Sequence, residues 1–307
     1  MRRSCTPATR AGCALRCSPY YPAMPLSERG RGILLWGFAA VGYALLARVL
    51  LVEGIAEAGG IGAIDANAYW SAAGHAWRGE SLYDVGAFTF RAYQYPPVFA
   101  QALAPGSLLP LPVFVWIWRS IELLGLRLAT GGWARAGIAL LVFPPVIAEV
   151  DAGNVHLIMA GVTALAMRGI AWPVGPAFLA KFSTWPLAPI LWRHDRWRLI
   201  LGIGGAAVVC GVSIVLTPDA WREYLAFLAN HTLAPESSKV LSDVPLALRL
   251  TVAGLIGLAA TRWIRLAPIA VTLAYPIVWV NALSTLTALV APVSPRVLDE
   301  PKSEAPH

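Results

Sequence analysis

GILLWGFAAVGYALLARVLLV, residues 32–52, is a run of about twenty apolar residues with a single arginine near its end. The hydrocarbon core of a bilayer is about 30 Å thick, and a helix needs roughly twenty apolar residues to cross it. Backbone groups cannot be left unpaired in lipid, so such a segment is either helical or part of a closed barrel. The stretch therefore predicts a membrane-spanning helix.

The rest of the chain has the same apolar character. Of its 307 residues 57% are hydrophobic and 13% are charged, and its mean hydropathy is +0.61, whereas soluble domains carry about 25% charged residues. Two of its apolar segments are short and rich in proline, which predicts broken or re-entrant helices. We therefore predict an all-α, polytopic membrane protein of about nine transmembrane or re-entrant helices with an extracytoplasmic first loop. The apolar segments lie near 32–52, 97–109, 111–128, 135–150, 154–170, 174–192, 198–217, 245–261 and 266–290, and the short ones are 97–109 and 135–150.

The basic residues predict how the chain is oriented. They lie near the ends of apolar segments, so the net charge of +7 fits the positive-inside rule better than nucleic-acid binding. The arginines of residues 1–31 place the N-terminus in the cytoplasm. If each apolar segment crosses the membrane once, the turns after it then lie alternately outside and inside. By that count Arg127 and Arg135 fall outside, against the rule. The basic turns assigned inside are 193–198 and 261–265, and the hydrophilic segments assigned outside are 53–95 and 218–244.

The chain is expected to lie in the cytoplasmic membrane and divides into three parts. Residues 1–31 form a cytoplasmic basic leader, residues 32–290 a multi-span membrane domain with the outer loop 53–95, and residues 291–307 a polar C-terminal tail. The leader lacks the apolar core and cleavage site of a secretory signal. Two interpretations of residues 1–23 stay open, because Met24 begins a second, shorter basic leader. They are part of the leader, or they extend upstream of a true start at Met24.

The outer loop carries the first candidate site residue, Asp65. It stands at the N-cap position of a predicted helix over residues 66–78. Small and aromatic residues recur on one face of this helix, so it is expected to lie in the membrane interface with that face toward lipid. Two interpretations of Asp65 stay open: it caps the helix, or it is a general base toward a substrate held at the membrane surface. The loop's aromatic residues have a second interpretation as interface anchors; they are Trp70, Trp77, Tyr93 and Tyr95.

Lys181 is the second candidate, because it stands about seven residues inside the apolar segment 174–192. A cation at such a depth is costly in free energy and usually faces a cavity or a partner. Two interpretations stay open here as well. The side chain snorkels to the outer surface, or its ammonium binds an anion, for which a lipid phosphate is the natural choice at that depth.

Other chemistries find no support in the sequence. No glycine-rich phosphate-binding loop opens a helix after a strand, and the HExxH motif of metalloproteases is absent. The acid pair Glu149 and Asp151 is isolated. Asp65-Ala66-Asn67 is not the DxD pair with which soluble nucleotide-sugar transferases hold a metal ion. We therefore predict neither a metal site nor a cofactor.

Several short motifs follow one another in an order that is not generic to membrane proteins: Asp65, Tyr69, Gly79, Tyr83, Tyr95-Pro96-Pro97, Pro105, Gly153-Asn154-Val155-His156, Lys181 with a following proline, Arg196-Trp197-Arg198, and Trp221 with Tyr224. In this order and spacing the chain resembles glycosyltransferase family 87 over roughly residues 33–230. Members of that family are membrane enzymes of the GT-C superfamily that use polyprenyl-phosphate mannose, α-1,2-mannosyltransferases among them. The chain departs from the family at Asn154 and His156, where glutamine and asparagine are usual.

The resemblance implies a reaction. A mannose, or another hexose, passes with inversion from a β-linked polyprenyl phosphate to a hydroxyl of a lipid or glycan acceptor outside the cytoplasmic membrane. Asp65 is then the base, and Lys181 and Arg91 bind the donor phosphate. Other interpretations of two residues stay open, since His156 can simply pack at a span end and Arg91 can be a solvated loop residue. Candidate pocket residues are Tyr69, Tyr83, Tyr95, Asn154 and His156.

Two alternatives to this enzyme remain. A non-catalytic carrier or transporter of lipid phosphates would use the same lysine and loop but would not need Asp65. A degenerate family member would keep the fold without the activity. All three interpretations predict contact with membrane lipids, and none predicts a nucleic-acid partner.

Overall fold

The computed structural model describes residues 28–56, 63–83, 92–230, 239–241 and 243–294. These residues are mostly helical, which confirms the all-α prediction, and one pair of two-residue strands, β1 (Lys239–Val240) and β2 (Val278–Trp279), is antiparallel. The leader up to residue 27, Arg91 and the tail from residue 295 lie outside the described residues. The α-helices are α1 (Glu28–Ala56), α2 (Ile64–Arg78), α3 (Pro97–Leu103), α4 (Leu111–Thr130), α5 (Trp133–Val142), α6 (Pro144–Ala152), α7 (His156–Ala166), α8 (Val174–Ala180), α9 (Ala188–Leu216), α10 (Pro218–Asn230), α11 (Leu246–Ala259) and α12 (Ala267–Leu273). The 3₁₀ segments are Ala104–Leu108, Phe182–Leu187, Ile264–Leu266 and Val280–Val290.

Two helical stretches are long and apolar enough to cross a membrane, Glu28–Leu51 and Phe182–Leu216. The pair α5 and α6 makes a third if it is counted as one bent span. The apolar helices thus indicate a membrane-embedded protein, but nine spans are not confirmed. One reason is that α3 is too short to cross a bilayer, since it has seven residues and a helix rises only about 1.5 Å per residue.

Proline breaks the two short segments, as the sequence predicts. Phe143 leaves the helical conformation before Pro144, and α5 and α6 meet there at 99°. The segment 97–109 begins and ends beside α2, since the Phe99 ring packs on Tyr69 and the Trp70 indole donates to the Leu109 carbonyl at 2.9 Å. This segment therefore behaves as a re-entrant element within the described fold and does not run the length of the bundle.

Glycines let several helices approach closely. A Cβ on Gly42 of α1 would lie 1.8 Å from the carbonyl oxygen of Gly137 on α5, and one on Gly125 of α4 would lie 2.3 Å from the carbonyl oxygen of Leu157 on α7. Small residues at contacts between helices are typical of packing in lipid, where the hydrophobic effect does not drive helix association. These glycines therefore fix the bundle that carries the candidate site.

The bundle has two chemically different ends. Helices α4 and α7 run parallel: the Trp118 indole donates to the Asn154 carbonyl at 3.3 Å, and Arg168 donates to the Leu128 carbonyl at 2.7 Å. Asp65 lies with Asn154 at the first end. The opposite end, called the basic end below, is rich in arginine. Its arginines include Arg127, Arg135, Arg168, Arg198 and Arg265.

Arg127 and Arg135, which the count of crossings assigned outside, lie at the basic end with the other arginines. Gly131, which follows Arg127 and lies beside Arg135, packs on Pro292, and Pro292 also accepts a hydrogen bond from Arg168. Alternation counted the segment 97–109 as a crossing, but this segment returns to α2, so α4 runs from the Asp65 end to the opposite end and carries Arg127 there. Arg127 and Arg135 therefore lie with the other basic residues.

Candidate functional site

Helix α2 holds Asp65 in its first turn and not at the predicted N-cap position. The cap position is Ala63, in the left-handed region at φ 61°, and no side chain caps the helix there. The Ala63 N–H donates to the Asp151 carbonyl at 2.8 Å, which ties the start of α2 to the end of α6. The capping interpretation of Asp65 is therefore wrong.

The small and aromatic face of α2 packs into the protein. Tyr69, Ala72 and Ala73 are buried, whereas Trp77 is 61% exposed. Tyr93 is also buried, at 4% exposure. The prediction that this face lies on lipid is wrong, because α3, α4 and the segment 104–108 cover it.

Asn154 joins Asp65 to two tyrosines. Its Nδ2 donates to Asp65 Oδ2 at 2.5 Å, and its Oδ1 accepts from the hydroxyl of Tyr95 at 2.8 Å and from the backbone N–H of Val155 at 2.7 Å. The hydroxyl of Tyr69 donates to that of Tyr95 at 2.8 Å and lies 3.3 Å from Asn154 Oδ1. The amide can turn only one way in this network, so it presents a donor to the carboxylate and fixes its position.

Burial sets the charge state of Asp65. Desolvation, followed by the negative charge of Glu149, raises the pKa of Asp65 to about 6, although the hydrogen bond from Asn154 and the charge of Lys181 act to lower it. A base works best when its pKa lies near the operating pH. Asp65 is thus a stronger proton acceptor than a solvated aspartate and is still mostly ionised at neutral pH.

The raised pKa of Asp65 predicts a pH dependence. If the ionised carboxylate is the active form, kcat/KM should be constant above neutrality and fall tenfold per pH unit as the pH drops below about 6. The pKa is raised, so activity is lost on the acid side at a higher pH than a solvated aspartate near 3.9 would give. Initial rates measured between about pH 4.5 and 8 check this. An acid limb near pH 4, or none, contradicts it.

Lys181 lies at a break in the helical path, not inside a regular span. Helix α8 ends at Ala180, and Lys181 is extended at φ −147° and ψ 125° before the chain resumes a 3₁₀ turn. Its Nζ lies 2.7 Å from His156 Nε2, 5.3 Å from the centre of the Tyr95 ring and 5.0 Å from that of Tyr275. The ammonium thus points into the protein, and the snorkelling interpretation is wrong.

Glu149 is the residue that sequence reasoning missed. The sequence interpretation treated it as isolated, yet it contacts His156, whose side chain is fully buried. His156 follows Glu149 by seven residues and lies on the next helix, past the turn at Gly153, so the spacing gave no periodic signal. A carboxylate inside the apolar segment 135–150 was the available sign.

Among the described residues, no three His, Cys, Asp or Glu side chains are arranged to hold a metal ion.

Tyr83 lies apart from the cluster of Asp65 and Lys181. Tyr83 donates to the Tyr95 carbonyl at 2.7 Å, but its ring packs on Tyr224 and Phe227 of α10. It therefore supports the site from the side of the second hydrophilic segment and does not line the cluster of Asp65 and Lys181. Arg91 lies outside the described residues.

Gly153 controls how closely α2 approaches the site. Its φ is +68°, and an added Cβ would lie 2.8 Å from the Cβ of Ala66 and 3.0 Å from that of Ala63. Gly79 is a matched control, since its φ is +69° but nothing lies within 4 Å of an added Cβ. An alanine at position 79 therefore adds only the strain of the left-handed backbone conformation.

We expect Gly79→Ala to lower the free energy of unfolding by about 1 kcal/mol. Gly153→Ala should lower it by about 2–4 kcal/mol, because overpacking adds to the strain, and should also displace Asp65. Thermal unfolding followed by circular dichroism gives the comparison. Equal losses in the two variants would show that the contact with α2 is unimportant.

No family model matches the chain, and neither a curated protein nor a solved structure is similar to it at a significant level.

Proposed function

We propose that this protein is a membrane glycosyltransferase that moves a mannose, or another hexose, from a polyprenyl-phosphate sugar to an acceptor hydroxyl. One observation carries the proposal. Asp65 and Lys181 are distant in the sequence, yet both adjoin Tyr95: its hydroxyl donates to the Asn154 amide that holds Asp65, and its ring centre lies 5.3 Å from Lys181 Nζ. A carboxylate and an ammonium in one cluster suit a reaction that removes a hydroxyl proton and releases a phosphate.

The proposed reaction is a single displacement. The acceptor hydroxyl gives its proton to Asp65 while its oxygen attacks the anomeric carbon from the face opposite the leaving group, so the configuration inverts. The bond from that carbon to the phosphate oxygen breaks, and both its electrons leave with the phosphate. Lys181 stabilises the charge that develops there. The lipid phosphate leaves as an anion, so no acid is needed to protonate it.

The remaining candidates have supporting roles in this proposal. Asn154 holds the carboxylate of Asp65, and the hydroxyls of Tyr69 and Tyr95 hold Asn154. Arg91 keeps its proposed role as a second contact of the donor phosphate.

The location is part of the proposal. The basic end and the Asp65 end lie at opposite ends of α4 and α7, and arginine clusters usually face the cytoplasm. The two hydrophilic segments that were predicted to lie outside also meet, since Ser81 donates to Glu223 of α10 at 2.8 Å. Both features support a cytoplasmic-membrane protein whose Asp65 end is extracytoplasmic.

A matched pair of exposed tryptophans tests this orientation. Trp77 is 61% exposed on α2, and Trp197 is 67% exposed near the basic end. In a chain without native cysteines, Trp77→Cys should react with a membrane-impermeant maleimide in intact cells. Trp197→Cys should react only after the membrane is permeabilised. The reverse pattern, or labelling of both in intact cells, would overturn the orientation.

The donor class gives the direct test of the proposed function. The purified protein in lipid nanodiscs is supplied with a lipid extract and with either radiolabelled polyprenyl-phosphate mannose or GDP-mannose. We expect label in the extract from the lipid donor alone, because no nucleotide-binding motif was found in the sequence. Transfer from GDP-mannose, or from neither donor, rejects the proposal.

A further inference from the structure

Three side chains form a hydrogen-bonded series that ends on Lys181. Glu149 Oε1 accepts the backbone N–H of His156 at 2.5 Å, and Glu149 Oε2 lies 2.9 Å from His156 Nδ1. On the other edge of the imidazole, Nε2 lies 2.7 Å from the Nζ of Lys181. Glu149 and His156 have no exposed surface. The mechanism proposed above uses neither residue.

The chemistry of the groups assigns the protons. A lysine ammonium only donates hydrogen bonds, so His156 Nε2 accepts and carries no proton. The proton of the neutral ring is then on Nδ1, which donates to Glu149. The backbone N–H of Leu157 and the side-chain amide of Asn281 also hydrogen-bond to Glu149. The carboxylate is therefore surrounded by donors and acts as the acceptor.

We propose that Glu149 and His156 are positioning residues for Lys181. The carboxylate selects the Nδ1–H tautomer of His156, and Nε2 then holds one N–H of the ammonium. The other two N–H groups remain for an anionic phosphate ester. The identity of that ester as the sugar donor rests on the proposed function.

The imidazole between the two charges has a consequence for binding. A carboxylate in direct contact with Lys181 would form an ion pair and compete with a phosphate for the same donors. Here Glu149 balances the charge of the ammonium through the ring, and neutral Nε2 occupies one donor only. The rings of Tyr95 and Tyr275 flank the ammonium at 5.3 and 5.0 Å and restrict its direction.

Two substitutions of Glu149 separate positioning from simple structural support. In Glu149→Gln, the amide oxygen stays with the backbone N–H of His156, so the amide N–H₂ faces Nδ1 and reverses the tautomer. Nε2–H then faces the ammonium, donor against donor. Glu149→Met removes the charge but leaves the tautomer free, so Nε2 still accepts. The proposal predicts that Gln is the more harmful change, whereas a hydrogen-bonding or packing role predicts that Met is.

Chemical labelling reads out Lys181 without any sugar donor. The chain has three lysines, Lys181, Lys239 and Lys302, so mass spectrometry resolves each one after brief acetylation with a membrane-permeant N-hydroxysuccinimide ester. A lysine that loses a charge-assisted partner should react about tenfold faster or more. We expect this for Lys181 in Glu149→Gln and in His156→Leu, with a smaller effect in Glu149→Met. Lys239 and Lys302 serve as internal references.

A second buried carboxylate provides the matched control. Glu122 on α4 is fully buried and has no hydrogen-bond partner for its carboxylate among the described residues. Glu122→Gln should leave the labelling rate of Lys181 and the KM for polyprenyl-phosphate mannose within about twofold of the parent, whereas Glu149→Gln should raise that KM about tenfold or more.

Each outcome decides the proposal. Parent-like labelling in Glu149→Gln and His156→Leu, or a larger effect from Met than from Gln, overturns it. So does an equal effect from Glu122→Gln. If labelling follows the expected order but no sugar is transferred by the parent protein, the series stands and the proposed function fails. If sugar is transferred and labelling does not change, only the positioning role is lost.

Discussion

Asp65→Asn should lower turnover by about 10²–10⁴-fold while the protein stays folded. The asparagine oxygen can still accept the hydrogen bond that Asn154 donates to Asp65 Oδ2, so the network around the tyrosines survives. What is lost is the ability to take a proton. The measurement is kcat for transfer from polyprenyl-phosphate mannose, with thermal unfolding as the check on folding.

Two further variants serve as controls for Asp65→Asn. Asp219→Asn removes a carboxylate from the exposed first turn of α10 and should leave kcat within about twofold, as most surface changes do. Asp65→Ala leaves the amide of Asn154 without its acceptor, so it should also lower the free energy of unfolding by about 1–3 kcal/mol. A stable Asp65→Asn protein with parent-like turnover would remove the main reason to regard this chain as an enzyme.

Lys181→Met should weaken binding of the lipid donor by about tenfold to a hundredfold, since a charge-assisted hydrogen bond is worth about 1.5–3 kcal/mol. Methionine has a similar size and is apolar, so it suits the aromatic surroundings of Tyr95 and Tyr275. The dissociation constant can be measured by quenching of tryptophan fluorescence in nanodiscs titrated with polyprenyl-phosphate mannose.

The matched control for Lys181→Met is Lys239→Met, at the start of β1. It removes the same charge from the chain and should leave affinity unchanged within about twofold. Equal affinities of Lys181→Met and the parent protein would mean that the ammonium does not hold the phosphate.

The sequence could predict the local features of this fold well. The predicted helix over 66–78 lies within α2, and the prolines mark the breaks before α3 and α6. These features depend on a few neighbouring residues, through periodicity and the missing N–H of proline. The number of crossings depends on where a segment returns to the bundle, which is a tertiary property. The return of residues 97–109 to α2 therefore could not be read from hydropathy.

The sequence could predict some of the residues that form the candidate site. Asp65 was predicted from the loop helix, Lys181 as a cation inside an apolar segment and Asn154 from the resemblance, and the structure brings the three together around Tyr95. Tyr275 belongs to the last apolar segment and gave no sign of its role, because an aromatic residue inside an apolar segment ordinarily contributes to packing. Glu149 was missed because its partner, His156, follows a turn at Gly153 that breaks any helical spacing.

The stereochemistry of the product tests the central claim, transfer of the sugar by a single displacement, most directly. Polyprenyl β-mannosyl phosphate with radiolabelled mannose is incubated with the protein and a lipid extract, and the product is digested with α- or β-mannosidase. The account predicts an α-linked product that releases its label to α-mannosidase alone. Release by β-mannosidase would contradict it, because retention requires a second nucleophile or a different mechanism.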